Sequence, residues 1–160
     1  MGRAAPCPCS SGLAYDRCCG PYHRGEREAP DPPALMRSRY SAFALREAEY
    51  LHRTLHPEHE DRSRLKDVVL RSIRESASRH RYPGLRVIDH EGPDEGGIAR
   101  VLFHARVFEK GRDRSFVELS DFAHDGEGWR YLRGEGLPLA ASASPPEGIA
   151  AFRLALSSRG

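Results

Sequence analysis

No apolar run in this sequence approaches the roughly 18 residues that a membrane-spanning helix needs, so we expect no membrane-embedded segment. The first six residues also lack the apolar stretch of a secretion signal, and we therefore expect a cytoplasmic protein. Charge of one sign is not in excess, because 25 Lys and Arg face 23 Asp and Glu, a net charge of +2. No segment of the chain concentrates enough positive charge to neutralise several phosphates, which argues against a nucleic-acid partner.

Cysteine is absent after position 19, and the four cysteines are Cys7, Cys9, Cys18 and Cys19. In a cytosolic protein such a cluster favours a metal site over disulfides. Four sulfur ligands suit Zn²⁺, which binds them tetrahedrally and then has no open position for a substrate. The spacing therefore predicts one structural zinc ion. His23 is an alternative ligand, because it follows the adjacent cysteine pair by four residues.

A chain of 160 residues suffices for one core and a small appendage. We divide it into a zinc-binding module over residues 1–28, a folded body over residues 29–137 and a tail over residues 138–160. The tail begins with a linker-like stretch rich in Ala, Ser and Pro, so we expect it to be mobile. Residues 149–156 have the pattern of one short amphipathic helix.

The first part of the body has helical periodicity. A long helix is predicted from an N-cap at Asp31 to about Leu55, with its apolar residues on one arc. A second helix is predicted to start at Asp61 or Ser63 and to fade at Tyr82.

The second part of the body has the period of two that is typical of strands. Strands are predicted over residues 85–88, 98–108, 115–123 and 129–132, with glycine-rich turns between them. Helices followed by hairpins indicate an α+β fold. We therefore expect an antiparallel sheet wrapped on the long helix.

Six polar side chains on the long helix and the second strand are candidates for lining an interior pocket. They are Arg37, Tyr40, Glu47, Tyr50, Thr54 and His104. An apolar cavity with a few polar groups is the default ligand site, although Arg37 and Glu47 are more simply explained as structural ion pairs, with each other or with strand residues. We favour a binding role over an enzymatic one. The alternative is a small-molecule enzyme with Glu47 or His104 as the acid/base group.

The segment from Cys7 to Gly20 resembles the SEC-C motif, a small zinc module also found at the C-terminus of the SecA translocation motor. The resemblance implies that the four cysteines are the zinc ligands and that the module contacts a protein partner. The motif usually carries lysines around its tyrosine. Here the neighbours of Tyr15 are instead Leu13, Ala14, Asp16 and Arg17.

Residues 35–43 and the pattern Glu118-x-Ser120-x-Phe122, followed by residues 128–131 and Gly134, are similar to the YchJ family of uncharacterised bacterial proteins. This resemblance implies a nuclear-transport-factor-2-like cone for the body, in which a curved antiparallel sheet wraps a long helix and often leaves a cavity. A cavity of this kind is a candidate site for a small-molecule ligand.

Overall fold

The computed structural model describes residues 5–159. Its helices are α1 (Gly20–His23), α2 (Pro32–Leu45), α3 (Ala48–Arg53), α4 (Lys66–Ser78) and α5 (Ile149–Ser157). Its strands are β1 (Arg81–Glu91), β2 (Ala99–Glu109), β3 (Arg112–Asp113), β4 (Phe116–His124) and β5 (Trp129–Pro138). None of these helices is long and apolar enough to cross a membrane.

The predicted long helix is two helices. It begins as expected, with the Asp31 carboxylate accepting a hydrogen bond from the Ala34 backbone N–H at 2.9 Å. It ends at Leu45 because Arg46 adopts the left-handed conformation with φ of 60°. The N–H groups of Arg46 and Glu47 then donate to the carbonyls of Phe43 and Ala42, respectively. This pattern is a Schellman termination, which usually uses glycine, so the sequence carried no signal for it.

The second predicted helix is also shorter than its pattern indicated. The Asp61 and Ser63 positions lie in a 3-10 turn over Glu60–Ser63, and α4 starts only at Lys66. The helix ends at Ser78, and Tyr82 already belongs to β1.

The strands form one antiparallel sheet in the order β1-β2-β4-β5, with the short β3 paired to β2. Each predicted strand is present, and β1 and β5 extend beyond their predicted ends. Bulges interrupt the register in β1 and between Asp121 and Phe122 of β4. Such bulges bend and twist a sheet. One face of this sheet covers the helices.

Alternate residues of β2 pack into two different cores. Val101, Phe103 and Ala105 face α2 and α3 and belong to the main core. Leu102, of the opposite parity, packs with Val117 in a second core on the other face of the sheet. The sheet is therefore buried on both sides along β2.

The C-terminal segment closes the second core, which corrects our expectation of a mobile tail. Ile149 and Phe152 of α5 are buried there, and Phe152 has no exposed surface. The Ile149 N–H, at the start of α5, donates to the Asp89 carboxylate of β1 at 3.0 Å. The Ala- and Ser-rich composition gave no sign of this contact, because Ile149 and Phe152 are the only fully buried residues of α5. The domain boundaries at residues 28 and 137 stay predictions.

Candidate functional site

The four cysteines are brought together by the turn of residues 10–13 and the 3-10 turn at Tyr15–Arg17. Their sulfur atoms all lie within 4.8 Å of one another, and Cys7, Cys9 and Cys19 are buried. Positive φ angles at Ser10 and Gly12 reverse the chain between the two cysteine pairs.

The sulfur separations fit a tetrahedral metal ion. Ligands about 2.3 Å from a zinc ion lie about 3.8 Å apart. The Cys9 and Cys18 sulfurs are 3.5 Å apart, and those of Cys18 and Cys19 are 3.9 Å apart. All four residues are free thiols among the described residues, so none is lost to a disulfide. This donor set is placed to hold a metal ion.

Hydrogen bonds within the cluster favour a thiolate. The hydrogen bond from Cys19, and to a smaller extent the one from Cys7, holds the pKa of the Cys9 thiol far below its ordinary value. The hydroxyl of Ser11 lies 3.1 Å from the Cys18 sulfur while it accepts the Leu13 N–H at 3.1 Å. Ser11 thus orients Cys18 from outside the cluster, as second partners of metal ligands do.

His23 is not placed as a ligand. Its Nε2 lies 2.8 Å from the Ser38 carbonyl, and its Nδ1 lies 2.7 Å from the Tyr15 hydroxyl. A carbonyl only accepts, so Nε2 carries the proton and Nδ1 accepts from Tyr15. Burial lowers the pKa of His23, which agrees with a neutral ring. Both nitrogens are occupied, and His23 joins the module to α2.

Arg37 has the same connecting role. Its Nη1 donates to the Cys9 carbonyl at 3.3 Å, so it reaches the cysteine module and not the interior of the sheet. On the other side of the module, the Leu85 N–H of β1 donates to the Ser10 hydroxyl at 3.1 Å. The cysteine module is therefore docked against both α2 and β1.

A cavity of about 340 Å³ lies between α2, α4 and the inner face of the sheet. Its walls are mainly aromatic, from Tyr40, Phe43, Tyr82, Phe103, Phe116 and Tyr131. Tyr40 was predicted to line it and does. Its hydroxyl donates to the Arg106 carbonyl and accepts the Gly84 N–H, so it also ties α2 to the sheet.

The other predicted pocket residues do not line this cavity. Glu47 is half-buried at the N-terminus of α3, where the break at Arg46 has reset the helical phase. Tyr50 is buried and hydrogen-bonded to Ser38 at 2.6 Å. His104 lies on the opposite face of the sheet with its Nε2 3.2 Å from the Leu139 carbonyl. Neither Glu47 nor His104 is placed to act as a base in the cavity.

Thr54 contacts a cavity residue, Arg39, that the sequence analysis missed. Arg39 lines the cavity, is 6% exposed and donates from Nη1 to Thr54 Oγ1 at 2.6 Å and to the Leu51 carbonyl at 2.9 Å. The sequence did indicate the position of Arg39, because it follows Met36 by three residues and precedes Phe43 by four, which is the spacing of one helix face. These three residues share one helix face and all line the cavity.

Glu118 is the cavity's carboxylate. Its Oε2 accepts hydrogen bonds from Ser120 and, at 3.3 Å, from the Tyr131 hydroxyl. Burial raises the pKa of Glu118, although these hydrogen bonds and Arg39 oppose the shift. A side chain at Gly134 of β5 would collide with this carboxylate, so glycine there leaves it room. Glu118, Ser120 and Gly134 all belong to the pattern identified in the sequence, which carried no hint of their shared location.

Comparison with known proteins agrees with this architecture. A family model described as the YchJ middle NTF2-like domain matches residues 31–134, and the SEC-C motif matches residues 3–21. The YchJ protein of Shigella dysenteriae serotype 1 is 39% identical over 129 residues, which cover 80% of this chain and 81% of that protein.

Two solved structures of SEC-C motif containing proteins are similar over most of their length. The Rhodopseudomonas palustris protein has a TM-score of 0.69 and 35% identity, covering 83% of this chain and 99% of that one. The Psychrobacter arcticus protein has a TM-score of 0.69 and 25% identity, covering 98% of this chain and 97% of that one. The predicted α+β, NTF2-like architecture is confirmed, and the chain belongs to the YchJ family.

Proposed function

We propose that this protein is a small-molecule binding protein, in which a zinc-held module is fixed on an NTF2-like body with a ligand cavity. The observation that carries the proposal is the cavity of about 340 Å³, lined by aromatic side chains around the almost fully buried Arg39. Its size lies in the range of ligand pockets, and apolar walls with few polar groups are typical of them.

The metal in this proposal is zinc. Four cysteine sulfurs are the ligand set of structural zinc sites, and a segment this short has few other means of folding. The zinc ion would be held by Cys7, Cys9, Cys18 and Cys19 and would stabilise the module on α2, with no position left for a substrate. Its role is therefore structural.

Elemental analysis of freshly purified protein tests the metal. We expect one zinc ion per chain in the wild type and loss of zinc in the Cys9→Ser variant. The Ser10→Ala variant is the matched control, because it removes a neighbouring hydroxyl that contacts β1 and not the cluster. Absence of zinc from the wild type, or two disulfides in it, would overturn the assignment.

A neutral fluorescent probe, N-phenyl-1-naphthylamine, tests the cavity. We expect saturable binding at one site per chain, and loss of that binding when Ala105→Leu or Tyr82→Trp fills the cavity. Val68→Leu, on the exposed side of α4, is the control and should bind as the wild type does. Thermal melting establishes that each variant is folded. If the cavity variants are folded and bind the probe normally, the cavity is not the site.

We also propose that the zinc module offers a contact to a protein partner. Leu13, at the tip of the loop between the cysteine pairs, is 53% exposed and is therefore accessible to a partner. Cross-linking in cells should yield the same partner protein with the wild type and with Leu154→Asp, but not with Leu13→Asp. A partner captured equally by all three would not be bound through this loop.

A further inference from the structure

We propose that the ligand of this cavity carries a carboxylate on an apolar body, and that Arg39 binds the carboxylate through its Nε–H and Nη2–H groups. The inference rests on the proposed ligand-binding function and names the chemical class that this cavity selects.

The guanidinium of Arg39 is fixed before any ligand arrives. Its Nη1 is held by Thr54 and by the carbonyl of Leu51 at the end of α3, and its carbon lies 4.8 Å from the centroid of the Tyr131 ring. These contacts orient the planar group from one edge and one face. A pre-oriented guanidinium loses little conformational entropy when it binds an anion.

The opposite edge of Arg39 has no partner in the described part of the chain. Only Nη1 takes part in hydrogen bonds to protein atoms. Among the described residues no side-chain nitrogen or oxygen is both shut off from solvent and without a partner. Arg39 lines the cavity, and we place its Nε–H and Nη2–H on the side that the cavity exposes.

Nε–H and Nη2–H form the edge of arginine that matches a carboxylate. They lie side by side and donate in parallel to the two oxygens of one carboxylate, a bidentate arrangement that neutral acceptors match less well. No side-chain carboxylate of the described residues forms an ion pair with Arg39, and Glu118 acts on it only at longer range. A buried cation without a contacting anion is costly, and a ligand carboxylate would offset that cost.

Glu118 does not exclude an anionic ligand. Its Oε2 is engaged by Ser120 and Tyr131, while no protein group in the described chain donates to its Oε1. Burial raises the pKa of Glu118, which lowers the cost of protonating it when a ligand carboxylate binds nearby. The neutral acid can donate a hydrogen bond to the ligand in place of repelling it.

The walls of the cavity determine the rest of the ligand. The remaining wall is mostly apolar, from Phe43, Tyr82, Phe103 and Phe116, and its other polar members are Ser76, His80 and Arg114. The body of the ligand is therefore mainly apolar. A volume of about 340 Å³ accommodates an aromatic ring with a short aliphatic chain but no large polar headgroup. An apolar body with one carboxylate is therefore the class that both parts of the site accept.

Calorimetric titration with 4-phenylbutyrate and its neutral amide, 4-phenylbutyramide, tests the inference. The two probes differ only in the group that meets Arg39. We expect the wild type to bind the carboxylate about tenfold to a hundredfold more tightly than the amide, because hydrogen bonds to a charged group typically contribute this much to affinity. The preference should fall several-fold in Arg39→Lys, which keeps the charge without the paired donors, and disappear in Arg39→Met. Arg37→Met, on the same helix but directed at Cys9, should keep it.

Equal binding of the two probes to the wild type would overturn the carboxylate assignment, as would a preference that survives in Arg39→Met. If Arg39→Met does not fold, the wild-type comparison and Arg39→Lys decide the question. Binding of N-phenyl-1-naphthylamine without any binding of 4-phenylbutyrate would reject this inference and leave the proposed binding function standing. Failure of all three probes to bind would reject both.

Discussion

The guanidinium of Arg39 lies over the ring of Tyr131, with 4.8 Å between the guanidinium carbon and the ring centroid. The Tyr131 hydroxyl in turn donates to Glu118 at 3.3 Å. One tyrosine therefore contacts both of these ionisable groups of the cavity wall. This arrangement keeps the cation and the carboxylate in one apolar space without a direct ion pair.

The Glu118→Gln variant should make stability less dependent on pH. The pKa of Glu118 is raised in the folded protein, so its favourable contribution is fully present below the unfolded pKa and is lost as pH rises through the folded value. Relative to the wild type, Glu118→Gln should therefore gain melting temperature at pH 8 compared with pH 4. Glu135→Gln, on the exposed part of β5, is the control. An identical pH profile for Glu118→Gln and the wild type would contradict the prediction.

The Arg46→Gly variant should stabilise the protein. Arg46 adopts a φ of 60°, which costs a residue with a side chain about 1–2 kcal/mol and costs glycine almost nothing. Part of this gain is offset by the entropy of glycine in the unfolded chain, so the expected net gain is about 1 kcal/mol. Chemical denaturation measures it. Arg74→Gly, exposed in the middle of α4, should instead lose about 1 kcal/mol. A loss for Arg46→Gly as well would show that the helix does not break there.

The Phe152→Ala variant should be strongly destabilised. Phe152 is fully buried between α5 and the outer face of the sheet, and removing such a ring costs about 3–5 kcal/mol. Leu154→Ala, 74% exposed two residues away, should change stability by less than about 0.5 kcal/mol. Urea unfolding of the two variants checks this. Equal, small effects would mean that the C-terminal segment is mobile after all.

The His23→Phe variant should retain its zinc and lose stability. Phenylalanine keeps a ring between Tyr15 and α2 but removes both hydrogen bonds, each of which contributes about 1 kcal/mol. Zinc content and melting temperature, measured on the same preparation, separate the two effects. Loss of zinc from a folded His23→Phe protein would make His23 a ligand in place of one cysteine.

The N-terminal cluster was predictable because its determinants are local. Two close pairs of cysteines and one turn at Gly12 suffice to bring four sulfurs together, and the chain between them is too short for many alternatives. The strands were predictable for a similar reason, since alternation of apolar residues and glycine turns are properties of adjacent positions. These features determined the α+β class and the candidate metal site directly from the sequence.

The cavity residues depended on helical phase, which a single backbone conformation can reset. From Tyr40 to Thr54 the apolar spacing predicts one continuous stripe that includes Glu47. The left-handed turn at Arg46 interrupts that stripe, and nothing in the local sequence distinguishes Arg46 from a residue in mid-helix. Glu47 is therefore turned away from the cavity, whereas Arg39 lies before the break and faces the cavity with Met36 and Phe43.

Long-range packing decided which side chains of the sheet face the helices. Phe103 and His104 are adjacent in β2, so their side chains lie on opposite faces of the sheet. The sequence does not show which of these faces packs on the helices. That choice follows from the long-range contacts of β2 with α2 on one side and with Phe152 on the other. The sequence by itself determined the strands, the α+β class and the cysteine cluster, but not the break between α2 and α3. Only the tertiary structure, through packing of distant segments, brought Arg39, Glu118 and Tyr131 into one cavity.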